Sequence, residues 1–424
     1  DPWLHTVRGF RAFKNAAKKA GGNLVPTSTN LIDAIWTDRP ERPNQPIIVH
    51  PLEFAGQPFE EKIAGIAQTL KEAGADAVIL PQADGAAWLF NLRGSDVLQK
   101  PMFLAFAIVD ADGKASLFVD PGKMTPQAEA QLATTTIADI NSFSAALEAL
   151  GKAGKSVMID PANVSVKIAD TITDAGGSLI EATDPIEAPR SRKNPTEQAG
   201  ARTAHVRDGA AITRFLAWFD REAPNGNLDE IKAAEKLLEF RTATNQLKDI
   251  SFPTISGAGA NGAIVHYRVT HATNAPIEMN SLYLVDSGAQ YLDGTTDITR
   301  TLLVGEPSDA HKKAYTLVLK GHIALATARF PKGTSGMHLD VLARQFLWAQ
   351  GMDYAHGTGH GVGSYLGVHE GLARIAKQGS VPLEPGMFLS NEPGYYKEGK
   401  FGIRLENLVF VTEPEDIGGD QPMM

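Results

Sequence analysis

The stretch LVDSGAQYLDGTTDITRT (residues 284–301) decides how this chain is read. It carries Asp286 and Asp297, and the run that opens it, SLYLVDSG, is apolar and strand-like, as is NLVFV near the C-terminus. A carboxylate beside a buried strand is costly unless it is paired or bound to a cation. Three further stretches supply residues of the same kind. HGTGHGVGSYLGVHEG (356–371) holds His360, LSNEPGYY (389–396) holds Glu392, and GIRLEN (402–407) holds Glu406. Taken singly, an Asp in a DSG or DGTTD run is a turn residue that caps its own backbone. Taken together, in apolar or glycine-rich surroundings, the five read as one metal site. Four carboxylates and one imidazole form a hard, mostly oxygen ligand set that suits Mn²⁺ better than a thiolate-loving metal. Their four charges balance two divalent cations when the histidine is neutral. Two such cations about 3.5–4 Å apart lower the pKa of a water held between them toward roughly 7.

The same residues exclude neighbouring readings. His356 and His360 are spaced like a helical two-histidine zinc motif, but Gly357, Gly359, Gly361 and Gly363 argue against a helix there. The glycines let backbone come close to a metal or ligand. The lysine of a phosphate-binding loop is absent. Outside this region, His5, His50, His205, His271, His311, His322 and His338 have no such context and read as surface or structural.

A chain of 424 residues is too long for one ordinary core. Hydrophobic residues make up 43% and charged residues 21%, as in a globular protein. The net charge of −9 argues against nucleic-acid or anionic-membrane partners. There is no cysteine, so disulfides and thiolate metal sites are excluded. No apolar run approaches the roughly 20 residues needed to span a bilayer. No signal peptide is visible, and a cytoplasmic location is the expectation, although the chain opens at Asp1 without an initiator Met.

Residues 1–45 read as the end of something: a helix through VRGFRAFKNAAKKAGG, then a Pro- and charge-rich linker. Residues 46–190 alternate helix and strand patterns, with a hairpin around the Asp-Gly of MFLAFAIVDADGKASLFVD, and predict an α/β domain with a mixed central sheet. DPIEAPRSRKNP marks a boundary. Residues 191–424 begin with a long amphipathic helix, with Thr196 as its expected cap and Glu197 in its first turn. The order that follows, helices then strands twice over, predicts an α+β domain with the hint of an internal duplication.

These motifs resemble the creatinase, prolidase and methionine aminopeptidase superfamily, and within it the large, three-domain metal-dependent Xaa-Pro aminopeptidases. LVDSGAQYLDGTTDITRT and HGTGHGVGSYLGVHEG carry the resemblance over about residues 195–412, with WLFNLRGSDV and DPWLHT extending it more weakly. It implies a pita-bread catalytic domain behind a creatinase-like α/β domain. It implies that Asp286 binds one metal, that Asp297 and Glu406 bridge two, and that His360 and Glu392 bind the second. The metals implied are two divalent ions, Mn²⁺ first, with Zn²⁺ or Co²⁺ as alternatives. His266, in AIVHYR, matches a residue near the scissile carbonyl, and His369 one that stabilises the oxyanion. His356 matches one that shapes a proline pocket, Tyr396 a tyrosine near the site, and Arg404 an arginine that steadies a carboxylate ligand. Arg404 lies two residues before Glu406 and is expected to share its strand and face.

The activity implied is hydrolysis of the N-terminal Xaa-Pro bond of peptides with proline at position two, with a metal-held hydroxide as nucleophile and Glu392 handling the proton. A homodimer is the implied assembly. A prolidase acting on Xaa-Pro dipeptides is the nearest alternative. A non-catalytic peptide-binding relative is the other, although none of the five ligands is missing. The family's members carry a full domain before a segment like DPWLHT and an extension after one like LVFVTEP, so the chain reads as a fragment at both ends. The run HEGLARIAKQGS departs from the family's HEGP after His369.

Overall fold

Short apolar runs separated by amphipathic helices build the first half of the chain. In the computed structural model, which describes residues 1–424, the chain divides into two units, Asp1–Glu187 and Ala188–Met424. In the first, helices α1 (Val7–Lys19) and α2 (Phe59–Ala73) are followed by strands β1 (Ala77–Leu80), β2 (Phe106–Asp110), β3 (Ala115–Val119) and β4 (Thr136–Asp139). Helix α3 (Phe143–Lys152), strand β5 (Ser156–Ile159), helix α4 (Val166–Asp174) and strand β6 (Ser178–Glu181) complete it. The sheet order is β4-β3-β2-β1-β5-β6. It is mixed, as the alternation predicts: β2 is antiparallel to both β1 and β3, and the other pairs are parallel. The Asp-Gly hairpin joins β2 to β3. Ile79, Ile108, Val157 and Ile159 pack against Phe143, Leu147, Ile168 and Ile172, and Val7 of α1 is buried in the same cluster.

The second unit opens with helices α5 (Pro195–Glu222) and α6 (Glu230–Thr242) and strands β7 (Ile255–Ala258), β8 (Ser281–Ser287) and β9 (Ile298–Val304). Helices α7 (Asp309–Ala326) and α8 (Gly336–Trp348) lead to strands β10 (Gly359–Gly361), β11 (Glu370–Ile375), β12 (Phe388–Asn391), β13 (Gly394–Lys397), β14 (Phe401–Arg404) and β15 (Asn407–Phe410). Each pair of helices thus precedes an antiparallel sheet, β7-β8-β9 in the first half and β11-β10-β12-β15 in the second, with β13-β14 as a hairpin. This is the α+β pita-bread plan. The cap of α5 is Asn194, not Thr196: its side chain accepts from the Glu197 N–H at 3.0 Å, and the Glu197 carboxylate accepts from the Asn194 N–H at 3.0 Å. Pro195 causes the difference. Its fixed φ and missing N–H suit the first helical position, which puts the cap one residue earlier.

Strand β8 explains how the site is aimed. Tyr283 and Val285 face the helices α5 and α6 in a cluster with Phe215, Phe219 and Leu237. Leu282 packs on the other side against Ile403 and Leu405. By strand alternation Asp286 shares that side, facing β14. Behind it, Asp208 of α5 and Arg241 of α6 form a buried two-pronged pair (2.8 and 2.9 Å), and Asp208 also accepts from Tyr291 and Thr296 at 3.0 Å. That network ties both helices to the residues leading into Asp297. No helix is long and apolar enough to cross a membrane.

Candidate metal centre

Strand register, more than sequence spacing, gathers the five residues. In β8–β9 Asp286 pairs with Thr299 and Ser287 with Ile298, so Asp297 sits at the mouth of the ladder beside Asp286. In β12–β15 the last pair is Asn391 with Asn407, which leaves Glu392 and Glu406 adjacent just beyond it. His360 lies on β10 at a bulge between His360 and Gly361, a device that re-aims a side chain. Position 359 must be glycine, because a Cβ there would lie 2.0 Å from the Ser390 carbonyl oxygen.

Asp297, His360 and Glu406 offer ligand atoms that all lie within 4.8 Å of one another. His360 Nε2 is 3.6 Å from Asp297 Oδ2 and 3.4 Å from Glu392 Oε1. The His360 Nδ1–H donates to the Gly361 carbonyl at 2.9 Å, which leaves the Nε2 lone pair toward the carboxylates. Burial and the nearby His369 push the His360 pKa down to about 3, so the ring is neutral and able to coordinate. Ser390 accepts from the His360 N–H (3.0 Å) and donates to Glu392 Oε1 (3.0 Å). Thr299 donates to Glu406 Oε2 at 2.6 Å. His369 stacks edge-on against His360 with ring centres 4.1 Å apart.

Charge tests whether cations belong here. Asp297 is held well above the carboxylate range by burial and by the charges of Glu406, Asp286 and Glu392. Glu406 is raised by burial, Glu392 and Asp286. Burial, reinforced by Asp286, pushes Glu392 up to about 8. Asp286 Oδ1 and Asp297 Oδ1 are buried without a hydrogen-bond partner. Orphaned oxygens and mutually repelling carboxylates are what a pair of divalent cations would satisfy.

Arg404, 2% exposed, is a cation built into the wall. Its Nη2 donates to Asp286 Oδ2 at 2.5 Å, its Nη1 to the Tyr396 hydroxyl at 2.7 Å, and its Nε to Thr299 at 3.2 Å. The Tyr396 oxygen accepts from Arg404, so its proton goes to His356 Nε2, 2.9 Å away, while the His356 Nδ1–H donates to Gly357 at 2.7 Å. Burial pushes His356 down to about 4 and Tyr396 up to about 12. Glu406 does not share a strand with Arg404. It lies in the two-residue break between β14 and β15, and the two side chains still meet at the Thr299 hydroxyl, which donates to Glu406 and accepts from the Arg404 Nε–H. His266 is exposed and lies near enough to His356 to contribute to lowering its pKa.

Sequence reasoning missed Thr299 and Ser390. Each stands two residues from a candidate ligand, Asp297 and Glu392, and that period-two spacing was an available signal. His322 has the structural role its context suggests: its Nδ1 lies 3.1 Å from the Asn391 carbonyl oxygen next to Glu392. No local signal marks that contact.

A buried nest of like charges, gathered within the α+β pita-bread unit, has the chemistry of a metalloenzyme centre. Comparison with known proteins narrows the class. Residues 199–413 match the metallopeptidase family M24, and residues 38–197 match the creatinase/prolidase N-terminal domain. The chain belongs to metallopeptidase family M24. It is 45% identical over 439 residues to a probable Xaa-Pro aminopeptidase P of Neosartorya fischeri, covering 100% of this chain and 67% of that protein. A probable Xaa-Pro aminopeptidase P of Aspergillus flavus is 43% identical over 442 residues, with the same coverage of 100% and 67%. Among solved structures, an X-prolyl aminopeptidase of Caenorhabditis elegans, described as a cytosolic enzyme with a di-nuclear active site, has a TM-score of 0.94 at 33% identity. That match covers 100% of this chain and 70% of the other. The Xaa-Pro dipeptidase of Bacillus anthracis has a TM-score of 0.69 at 25% identity, covering 84% and 95%.

Proposed function

We propose that this protein is a dinuclear-metal aminopeptidase that hydrolyses the N-terminal Xaa-Pro bond of peptides and releases the first amino acid. The observation that carries the reading is the buried, mutually repelling set of four carboxylates around a neutral His360, in a chain 45% identical along its whole length to Xaa-Pro aminopeptidase P. Asp286 would hold one cation, His360 and Glu392 the other, and Asp297 and Glu406 both. When bound, the two cations polarise the scissile carbonyl and bring the pKa of a water toward roughly 7.

The chain's own groups do the rest. Asp286, fixed by Arg404, marks where the substrate's free amine docks. Glu392 Oε1 is committed to Ser390, so Oε2 takes the proton from water and delivers it to the leaving proline nitrogen. His369, against His360, and His266, near His356, donate to the oxyanion of the tetrahedral intermediate. His356 and Tyr396, locked together by their hydrogen bond, form a wall for the proline ring. Mn²⁺ is the proposed metal, on the hardness of the ligand set. Residues 191–424 are the proposed catalytic domain and 46–190 the creatinase-like domain. A cytoplasmic location and a homodimer complete the proposal, and the net charge of −9 supports the absence of nucleic-acid partners.

The test is product analysis with metal-stripped protein, with and without Mn²⁺, on an Xaa-Pro-Yyy tripeptide and an Xaa-Pro dipeptide. Mn²⁺-dependent release of Xaa, with the tripeptide preferred, is expected. Preference for the dipeptide would make the protein a prolidase, and metal binding with no turnover of either would overturn the catalytic reading.

A further inference from the structure

Glu230 is the most completely buried carboxylate of the catalytic unit, at 0% exposure, and no lysine, arginine or histidine pairs with it. Taking such an ion out of water costs several kcal/mol. Four donors offset that cost. Glu230 Oε1 accepts from the Ala258 N–H at 2.7 Å and from Asn261 Nδ2 at 2.9 Å. Oε2 accepts from the Tyr267 hydroxyl at 2.9 Å and from the Ala275 N–H at 3.0 Å. Its place in the first turn of α6 adds the favourable end of the helix dipole.

All four donors come from one segment, the connection from the end of β7 to Ala275. Apart from a 3₁₀ turn at Gly259–Ala263 it has no regular structure, and connections longer than about 12–15 residues are either functional or unordered. This one carries His266. Its near end is pressed on β14, the strand of Arg404, so closely that a Cβ on Gly402 would lie 1.7 Å from the Gly262 carbonyl oxygen. Its middle is Tyr267, buried with Ile255 and Leu284 and packed on by Tyr396. Its far end is Ala275, whose carbonyl accepts from the Glu230 N–H at 3.2 Å. Tyr267 and Asn261 are further joined to each other and to the Thr273 carbonyl. One carboxylate therefore clamps the start, middle and end of the loop, and the residue just before its aromatic contact is the exposed His266.

We propose that Glu230 is a positioning residue for the reaction: it holds the loop that presents His266 to the substrate, so that this imidazole meets the developing oxyanion. The proposal rests on the role given to His266 above. It touches neither the cations nor the substrate, so its removal should lower kcat and leave KM and metal stoichiometry nearly unchanged. Misplacing a catalytic group by about 1 Å costs on the order of 10²-fold.

The experiment is a double-mutant cycle on the Mn²⁺-loaded enzyme with an Xaa-Pro-Yyy tripeptide. Glu230→Gln keeps the shape but turns an acceptor into a donor facing N–H groups, and Tyr267→Phe removes only the hydroxyl. Each is made in the native chain and with His266→Ala. Glu230→Gln is expected to lower kcat by about 10- to 100-fold, and Tyr267→Phe by less. In the His266→Ala background both should change kcat by less than about 2-fold, because the group they position is gone. Equal losses in both backgrounds would overturn the proposal, as would normal kcat in both variants beside a defective His266→Ala. Full activity of His266→Ala would overturn the site reading itself, a distinct result. If Glu230→Gln does not fold, Tyr267→Phe decides by the same comparison.

Discussion

Metal-free protein should lose stability as the pH rises from about 7 to about 8.5, and metal-loaded protein should not. The perturbation is removal of the cations with a chelator. Glu392 is pushed up to about 8 in the folded protein by burial and by Asp286, and Asp297 and Glu406 are raised for the same kind of reason. In the unfolded chain these carboxylates titrate near the ordinary value of about 4. Below that value both states hold the proton. Above it the folded state holds one more proton per raised group, so each contributes stability that drains away at about 1.4 kcal/mol per pH unit until its folded pKa is passed.

For Glu392 alone that is about 1 kcal/mol between pH 7 and 8, since half of its proton is already lost at the folded pKa, and more if Asp297 or Glu406 stays protonated over the same range. The window matters because His205, His322, His356 and His360 are pushed down by burial and act oppositely: their contribution is lost as the pH falls through the ordinary histidine range. Above about pH 7 they are neutral in both states and drop out. The assay is urea denaturation at a series of pH values, with chelator or with saturating Mn²⁺. Cations take the place of the protons, so the loaded protein should be more stable and free of the downward slope. Glu392→Gln should reduce the metal-free slope by one proton's worth. Metal-free stability that stays level or climbs between pH 7 and 8.5 would refute the charge argument for the site.

Three other outcomes follow from the same geometry. Arg404→Lys keeps a charge but loses the fork that reaches Asp286, Tyr396 and Thr299 together, and Mn²⁺ affinity by calorimetric titration should fall about 10- to 100-fold; unchanged affinity would show that Asp286 needs no such support. Thr299→Val removes the hydroxyl that donates to Glu406 and accepts from Arg404, and should weaken Mn²⁺ binding by about 10-fold in the same titration, unchanged affinity meaning that Glu406 needs no such support. Asp208→Asn strands Arg241 in the core and should cost about 3–5 kcal/mol in denaturant titrations, a smaller loss meaning that water reaches the pair.

Much of this was legible beforehand because it is local. Apolar runs of strand length, helix patterns ending at Gly, and the Asp-Gly hairpin predicted a mixed central sheet in the first unit, although not its edge strand Thr136–Asp139. The two rounds of helices and strands in the second unit were legible for the same reason. Where local reasoning slipped, a named competitor won. Pro195 moved the cap of α5 from Thr196 to Asn194. A break after β14 took Glu406 off the strand of Arg404. Thr299 and Ser390 were marked only by their period-two spacing from Asp297 and Glu392, and which carboxylate each hydroxyl meets is set by the fold.

By itself, the sequence determined which side chains have the chemistry for a metal site, since hard oxygen ligands, a neutral imidazole and close-packing glycines are properties of residue types in short contexts. It also determined the family, through two long motifs. Only the tertiary structure decided what each group faces. Arg404 reaches Asp286 across 118 residues, Thr299 reaches Glu406 across 107, and Tyr267 reaches Glu230 across 37. The pairing Asn391–Asn407, which sets Glu392 beside Glu406, is a matter of strand register. Contacts at such separations depend on how whole faces bury their apolar residues, which set the register, and no spacing along the chain encodes them.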